Sequence, residues 1–169
     1  KECCSYRRKT INRTRTTEMK KKICIVNYNT PELTRAAIQS IRRHGGEDYM
    51  YVVFDNSDKR PFGDMPGVGV IDNTKGQIID FDKELAKFPE RSDTSNRWGS
   101  VRHMMSVQAL WDILPDGFLL MDSDILLKAP IDDMFDDQYT AIGATDSGMN
   151  VYGISRLIPF LCYINAPEC

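Results

Sequence analysis

No apolar run in this 169-residue chain approaches the roughly 20 residues that a membrane-spanning helix needs. The opening residues also lack the charged, apolar and small-residue order of a secretory signal. Cysteine is present but not in a metal-binding pattern. Cys3, Cys4, Cys24, Cys162 and Cys169 are odd in number and have no zinc-ligand spacing. Cys24 and Cys162 lie in apolar stretches, where a thiol packs as a small hydrophobe. Internal repeats and low-complexity segments are missing too, which excludes solenoids and disordered scaffolds. A reducing cytoplasm is the expected setting.

What is there suits a globular domain. Hydrophobic residues make up 41% of the chain and charged residues 27%, an ordinary balance for one core of this size. The net charge of −2 hides an asymmetry. Residues 1–22 carry nine Lys/Arg and two Glu, a balance of +7, so the rest stands at −9. Such a tail has the charge to meet anionic lipid head groups or nucleic acid. The preferred reading is a disordered basic leader over 1–18 followed by a domain from Met19 to Cys169. Peripheral contact with the inner membrane face follows as an expectation; a nucleic-acid partner does not.

The pattern along the chain is α/β. Ile23–Val26 is a β-rich run ending in Asn27-Tyr28-Asn29-Thr30-Pro31. Pro31 and Glu32 then open a helix whose apolar positions are Leu33, Ala36, Ala37, Ile38 and Ile41, closed by His44-Gly45-Gly46. Met50–Phe54 is a second strand ending in Asp55-Asn56-Ser57. A β-α-β opening predicts parallel strands whose carboxyl ends share one edge. Further elements are expected as a strand at 67–72, a weaker helix over 78–88 and an amphipathic helix from Ser100 to Leu114. On that last helix Val101, Met104, Met105, Val107, Leu110 and Trp111 read as the core face. Strands near 118–121, 139–144 and 160–164 and a short helix near 130–135 complete a three-layer α/β/α, Rossmann-like pattern with a mostly parallel sheet. Its last strand falls five residues before the end, so the sequence reads as lacking a C-terminal, acceptor-side part.

The chemistry concentrates at strand ends. Phe118-Leu119-Leu120-Met121 is a buried strand running into Asp122-Ser123-Asp124. Two carboxylates at the rim of such a sheet suit a hard divalent cation, Mg²⁺ or Mn²⁺, that also holds substrate phosphates. The plainer reading is a pair of solvated acids in a turn. Tyr28 has a face for stacking on a base, or fills core. Asp55 has an acceptor for a base N–H or a ribose hydroxyl. Taken together, Asn27, Tyr28, Asn29, Asp55, Asn56, Asp122, Ser123 and Asp124 form a nucleotide-diphosphate site on one edge.

These stretches resemble a known family. Val26-Asn27-Tyr28-Asn29-Thr30-Pro31-Glu32-Leu33, Val53-Phe54-Asp55-Asn56-Ser57 and Leu120-Met121-Asp122-Ser123-Asp124 are similar, in order and separation, to the signatures of family 2 glycosyltransferases, which have the GT-A fold. The resemblance implies a nucleotide-diphospho-sugar donor, UDP preferred, and a Mn²⁺ or Mg²⁺ ion held by the Asp-X-Asp motif. Tyr28 would stack on the base, Asp55 would bind base or ribose, Asp122 would contact ribose or metal, and Asp124 would ligate the metal. It further implies a glycan or lipid-linked acceptor and a role in bacterial polysaccharide assembly. One region departs from the commonest pattern: Gly99-Ser100-Val101-Arg102-His103 stands where many members carry an Asn- and Gly-rich helix. Ser100 and His103 are assigned there to the donor, while Arg97 and Arg102 stand open between a diphosphate or sugar contact and a plain helix-face charge. No catalytic base is assigned; Asp146 follows the motif but matches nothing in the family pattern.

The rivals are weaker in residues. A sugar-1-phosphate nucleotidyltransferase wants a Gly-rich, basic loop after the first strand, and a phosphoacceptor receiver wants an acidic pair there. Asn27-Tyr28-Asn29 supplies neither. A non-catalytic nucleotide-binding fragment is the remaining alternative.

Overall fold

The computed structural model describes residues 21–44, 49–87, 98–114, 116–136, 138–139, 141–146 and 156–165. The basic leader, Met19, Gly45-Gly46 and Arg97 lie outside them. Strand β1 (Lys21–Asn27) leads through helix α1 (Pro31–His44) to β2 (Tyr49–Asp55) and then β3 (Val68–Asp72). Helices α2 (Phe81–Ala86) and α3 (Trp98–Ile113) precede β4 (Phe118–Met121), a 3₁₀ turn (Asp132–Met134), β5 (Ala141–Asp146) and β6 (Arg156–Ile164).

The six strands form one sheet in the order β3-β2-β1-β4-β6-β5. Strands β1 to β4 pair in parallel, while β6 runs antiparallel to both β4 and β5. Only β6 is therefore reversed, and the mostly parallel sheet read from the sequence is what forms. Gly143 lets β5 and β6 approach closely, because a Cβ there would lie 2.8 Å from the Cys162 Cβ.

Alternation along the strands builds two cores. Ile23, Ile25, Leu119 and Met121 face α1, where they pack with Ala37, Ile38 and Ile41. Cys24, Val26, Phe118 and Leu120 face the opposite side and meet Phe81, Val107 and Leu110 of α2 and α3. Pro31 at the first turn, Glu32 beside it, and Arg42, Arg43 and His44 in the last turn agree with the helix dipole of α1.

Two local readings change. The helix expected over 78–88 is only Phe81–Ala86, because Asn73 folds the preceding chain into a loop. Its Oδ1 accepts from the N–H groups of Ile78 and Ile79, and the Asp80 carboxylate caps the helix at the Lys83 N–H. On α3, Val101 and Met104 are exposed, since they fall outside the arc centred on Ser106, Val107 and Leu110. Ile125-Leu126-Leu127 is a loop whose Leu127 N–H is bonded to Ser40 Oγ, leaving Leu126 exposed. No helix among the described residues is long and apolar enough to cross a membrane.

Candidate functional site

The order of strands reverses between β1 and β4, where successive connections leave to opposite sides. In open α/β sheets the crevice outside the carboxyl ends at that point receives ligands. A cleft of about 490 Å³ opens there. Tyr28 and Thr30 line it from β1, Asp122, Ser123 and Asp124 from β4, and Arg102 and His103 from α3.

Asp122 is half-buried, and burial pushes its carboxyl pKa up; the His103 charge opposes that rise and neighbouring Asp124 adds to it. The His103 Nε2 is 3.6 Å from Asp122 Oδ1, within Coulomb range but too long for a hydrogen bond. That nitrogen is buried with no hydrogen-bond partner, so it is an unsatisfied polar atom on the cleft wall. Asp124 is exposed at the rim, and Ser123 Oγ lies 3.4 Å from Thr30 Oγ1. Among the described residues no three His, Cys, Asp or Glu are grouped to chelate a metal. Two carboxylates on one turn lining one cleft are the donor type of a hard divalent cation whose shell is completed by substrate phosphates.

The residues at the ends of β1 and β2 behave differently. Asp55 is 2% exposed and its carboxylate is saturated. Oδ1 accepts from Asn27 Nδ2 (2.9 Å), Ser57 Oγ (2.6 Å) and the Ser57 N–H (3.1 Å), and Oδ2 from the Phe62 N–H (2.6 Å). Asn27 is fully buried, giving its amide to Asp55 and Ser57 and taking the Thr34 hydroxyl at 2.7 Å. Neither lines the cleft, and the side-chain atoms of both are engaged within the protein. They are a platform beneath the cleft.

Asn29 is also engaged elsewhere. With φ of 57° it turns the chain, a conformation asparagine tolerates. Its side chain donates to Asp58 at 2.6 Å and accepts the N–H groups of Lys59 and Arg60. Ser100 is exposed and absent from the cleft lining, where Gly99 takes its place. Asn56 does line the cleft, yet its amide is committed to Ser106 and Asn73. Of the residues assigned to the donor, Tyr28, His103, Asp122 and Ser123 converge with Asp124 with atoms to spare.

Arg102, left open in sequence between a donor contact and an ordinary helix-face charge, lines the cleft. Its guanidinium carbon lies 5.5 Å from the Tyr28 ring centre and 4.8 Å from that of Phe81. It also borders a second cavity of about 470 Å³ beyond the ends of β2 and β3, lined by the Asn73-Thr74-Lys75-Gly76 turn, Asp58 and Phe81. Hydrogen bonding from Asn29 holds the Asp58 carboxyl below its ordinary pKa, with the nearby Arg102 charge helping.

No family model and no curated protein matches the chain. Solved structures do. One is a galactosyltransferase, LgtC, in complex with donor and acceptor sugar analogs: TM-score 0.57, 15% identity, 87% of this chain and 58% of that one covered. Another is WbbM, a bifunctional glycosyltransferase, with TM-score 0.51, 14% identity, and 94% of this chain against 33% of that one. The chain thus spans less than two thirds of the length of either neighbour. At these identities the likeness concerns architecture, and the architecture is that of GT-A glycosyltransferases.

Proposed function

We propose that this chain transfers a sugar from a nucleotide-diphosphate donor, UDP preferred, to an acceptor hydroxyl. The observation that carries the reading is the meeting of Tyr28, His103, Asp122 and Asp124 on one cleft at the strand-order reversal of a GT-A fold. Asp122 and Asp124 are the residues that would hold a divalent cation, Mn²⁺ or Mg²⁺. When bound, such an ion supplies Lewis-acid neutralisation of the charge developing on the departing diphosphate.

The protein's own groups do the rest. His103, whose Nε2 lacks a partner, offers the diphosphate or sugar a polar contact deep in the cleft. Tyr28, 40% exposed, offers an aromatic face at the rim. The saturated platform of Asn27, Asp55 and Ser57 fixes the end of β1, so the loop carrying Tyr28 starts from a rigid point. The anomeric centre passes through an oxocarbenium-like state as the bond to the diphosphate breaks. A glycan or lipid-linked acceptor in bacterial polysaccharide assembly suits this reading.

Titration with UDP and with GDP in the presence of Mn²⁺ tests it. Saturable binding that weakens in Asp122→Ala and Asp124→Ala is the expected result, followed by sugar release from at least one donor of a panel. Binding without release from any donor would make the chain a nucleotide-binding module rather than an enzyme. Binding of neither nucleotide would end the proposal.

A further inference from the structure

Helix α3 presents apolar residues in two directions. Val107 and Leu110 turn into the second core. Met105, Ala109 and Ile113, spaced four apart, form a seam along a groove between α3 and the chain leading into α2. With Ile78 they line a space of about 340 Å³. Ile78 and Ile113 are each 45% exposed, so the described residues leave the apolar floor of the groove open.

Its rim is acidic. Asp80, Glu84 and Asp112 line it, and no Lys or Arg does. Asp80 caps α2 and Asp112 accepts from Gln108, yet both stay exposed; Glu84 is shared with the exposed Lys87. An apolar floor inside a negative rim is complementary to an aliphatic side chain flanked by Lys or Arg.

Charge selects the occupant. Of the longer stretches outside the described residues, 45–48, 88–97, 147–155 and 166–169 are neutral or acidic, whereas 1–20 carries seven Lys/Arg against two Glu. Before Met19 its one aliphatic residue is Ile11, with Arg7, Arg8 and Lys9 on one side and Arg13 and Arg15 on the other.

The tether brings this segment to the groove. Strand β1 starts at Lys21, and Lys22, on the α2–α3 side by the alternation of the strand, bonds Asp116 at 3.1 Å. Asp116 follows the last turn of α3, which carries Asp112 and Ile113. Ten residues separate Ile11 from Lys21, a reach of up to about 33 Å. The seam from Ile113 back to Met105 is eight residues of helix, about 12 Å. A tethered segment also meets the groove at an effective concentration of roughly millimolar, so weak attractions at the rim suffice.

We infer that residues 7–15 of this chain dock in the α2–α3 groove, with Ile11 on the Met105–Ala109–Ile113 seam and the flanking arginines on Asp80, Glu84 and Asp112. The inference is independent of the proposed sugar transfer, since none of these groove residues lines the Asp122–Asp124 cleft.

Paramagnetic relaxation in the full chain tests it. A nitroxide is attached at Thr14→Cys in a chain with Cys3→Ser, Cys4→Ser and Cys169→Ser; Cys24 and Cys162 are buried and stay unlabelled. The methyl signals of Ile78, Met105 and Ile113 should lose most of their intensity, while Leu33, on the α1 side, keeps its own. Asp80→Asn, Glu84→Gln and Asp112→Asn together should lower the docking constant by about three- to a hundredfold, three exposed pairs each being weak. The first of these substitutions retains a side-chain cap on α2. Arg13→Gln with Arg15→Gln alters no described residue and should act in the same direction, by about two- to thirtyfold. Uniform broadening, or broadening that survives both sets of substitutions, overturns the inference. Equal broadening in an isotope-labelled chain mixed with a spin-labelled one overturns it as well, because the occupant is then a second copy. Groove signals that stay sharp also overturn it, and binding of that chain to phosphatidylglycerol vesicles would identify the segment as a membrane tail instead.

Discussion

The ends of β2 and β4 both carry Asp and Ser within three residues, Asp55-Asn56-Ser57 and Asp122-Ser123-Asp124, yet the fold uses them in opposite ways. After β2, every oxygen of Asp55 is occupied and the side chain is sealed. After β4, Asp122 and Asp124 line open space, and His103 Nε2, at 3.6 Å from Asp122 Oδ1, falls short of bonding distance. A carboxylate that is fully satisfied stabilises a fold; one that is left short of partners is available for chemistry. The composition of a strand end therefore does not announce its role, whereas its hydrogen-bond count does.

That contrast can be broken by exchange of the same side-chain chemistry at both places. Asp55→Ala strips four donors of their acceptor inside the core, and chemical denaturation should register a loss of about 3 kcal/mol or more. If Asp55→Ala instead leaves stability intact and abolishes nucleotide binding, the platform reading is wrong. Asp124→Asn should do the reverse, weakening UDP–Mn²⁺ affinity by at least about tenfold while stability moves by less than about 0.5 kcal/mol.

Smaller effects sharpen the boundary of the platform. Thr34→Val removes the hydroxyl that donates to the Asn27 side-chain Oδ1 and should cost about 1–2 kcal/mol in the same denaturation assay. The thiols of the second core give a pH test. Burial, then the Asp122 charge, pushes the Cys162 pKa up to about 11, and burial raises Cys24 further still. A thiol that ionises at about 9 when unfolded and about 11 when folded stabilises the native state fully below pH 9. That contribution is lost as pH climbs from about 9 toward 11. Native protein at pH 8 should accordingly protect both thiols from alkylation, as peptide mass mapping would reveal. The smallest effect belongs to the exposed Arg60–Glu32 pair, where Glu32→Gln should shift stability by no more than about 0.5 kcal/mol.

Much of the frame was legible because periodicity reports burial directly. The β-α-β opening, the buried strand ending at Asp122, and the shared edge all follow from runs and alternation that packing enforces. What escaped was decided by partners distant in sequence. Asn27 meets Asp55 and Ser57 from 28 and 30 residues away, so its saturation is invisible in its own neighbourhood. Arg102 acquires its place from Tyr28 and Phe81, which arrive from two other segments. Val101 and Met104 misled because an apolar residue on a helix is assigned inward by type, while the direction of its face is set by Val107 and Leu110. The Asn73 loop shortened α2 through side-chain bonds to backbone that compete with a helical turn.

One detail of the sheet bears on how the molecule is made. The strand that delivers Asp122 and Asp124 is held on one flank by β1 and on the other by β6, whose residues Leu161–Ile164 are translated some forty residues later. Until those residues leave the ribosome, β4 presents an unpaired apolar border, open to capture by another polypeptide. Chaperone engagement during synthesis should therefore be greatest after residue 121 has emerged and fall once residue 164 has followed.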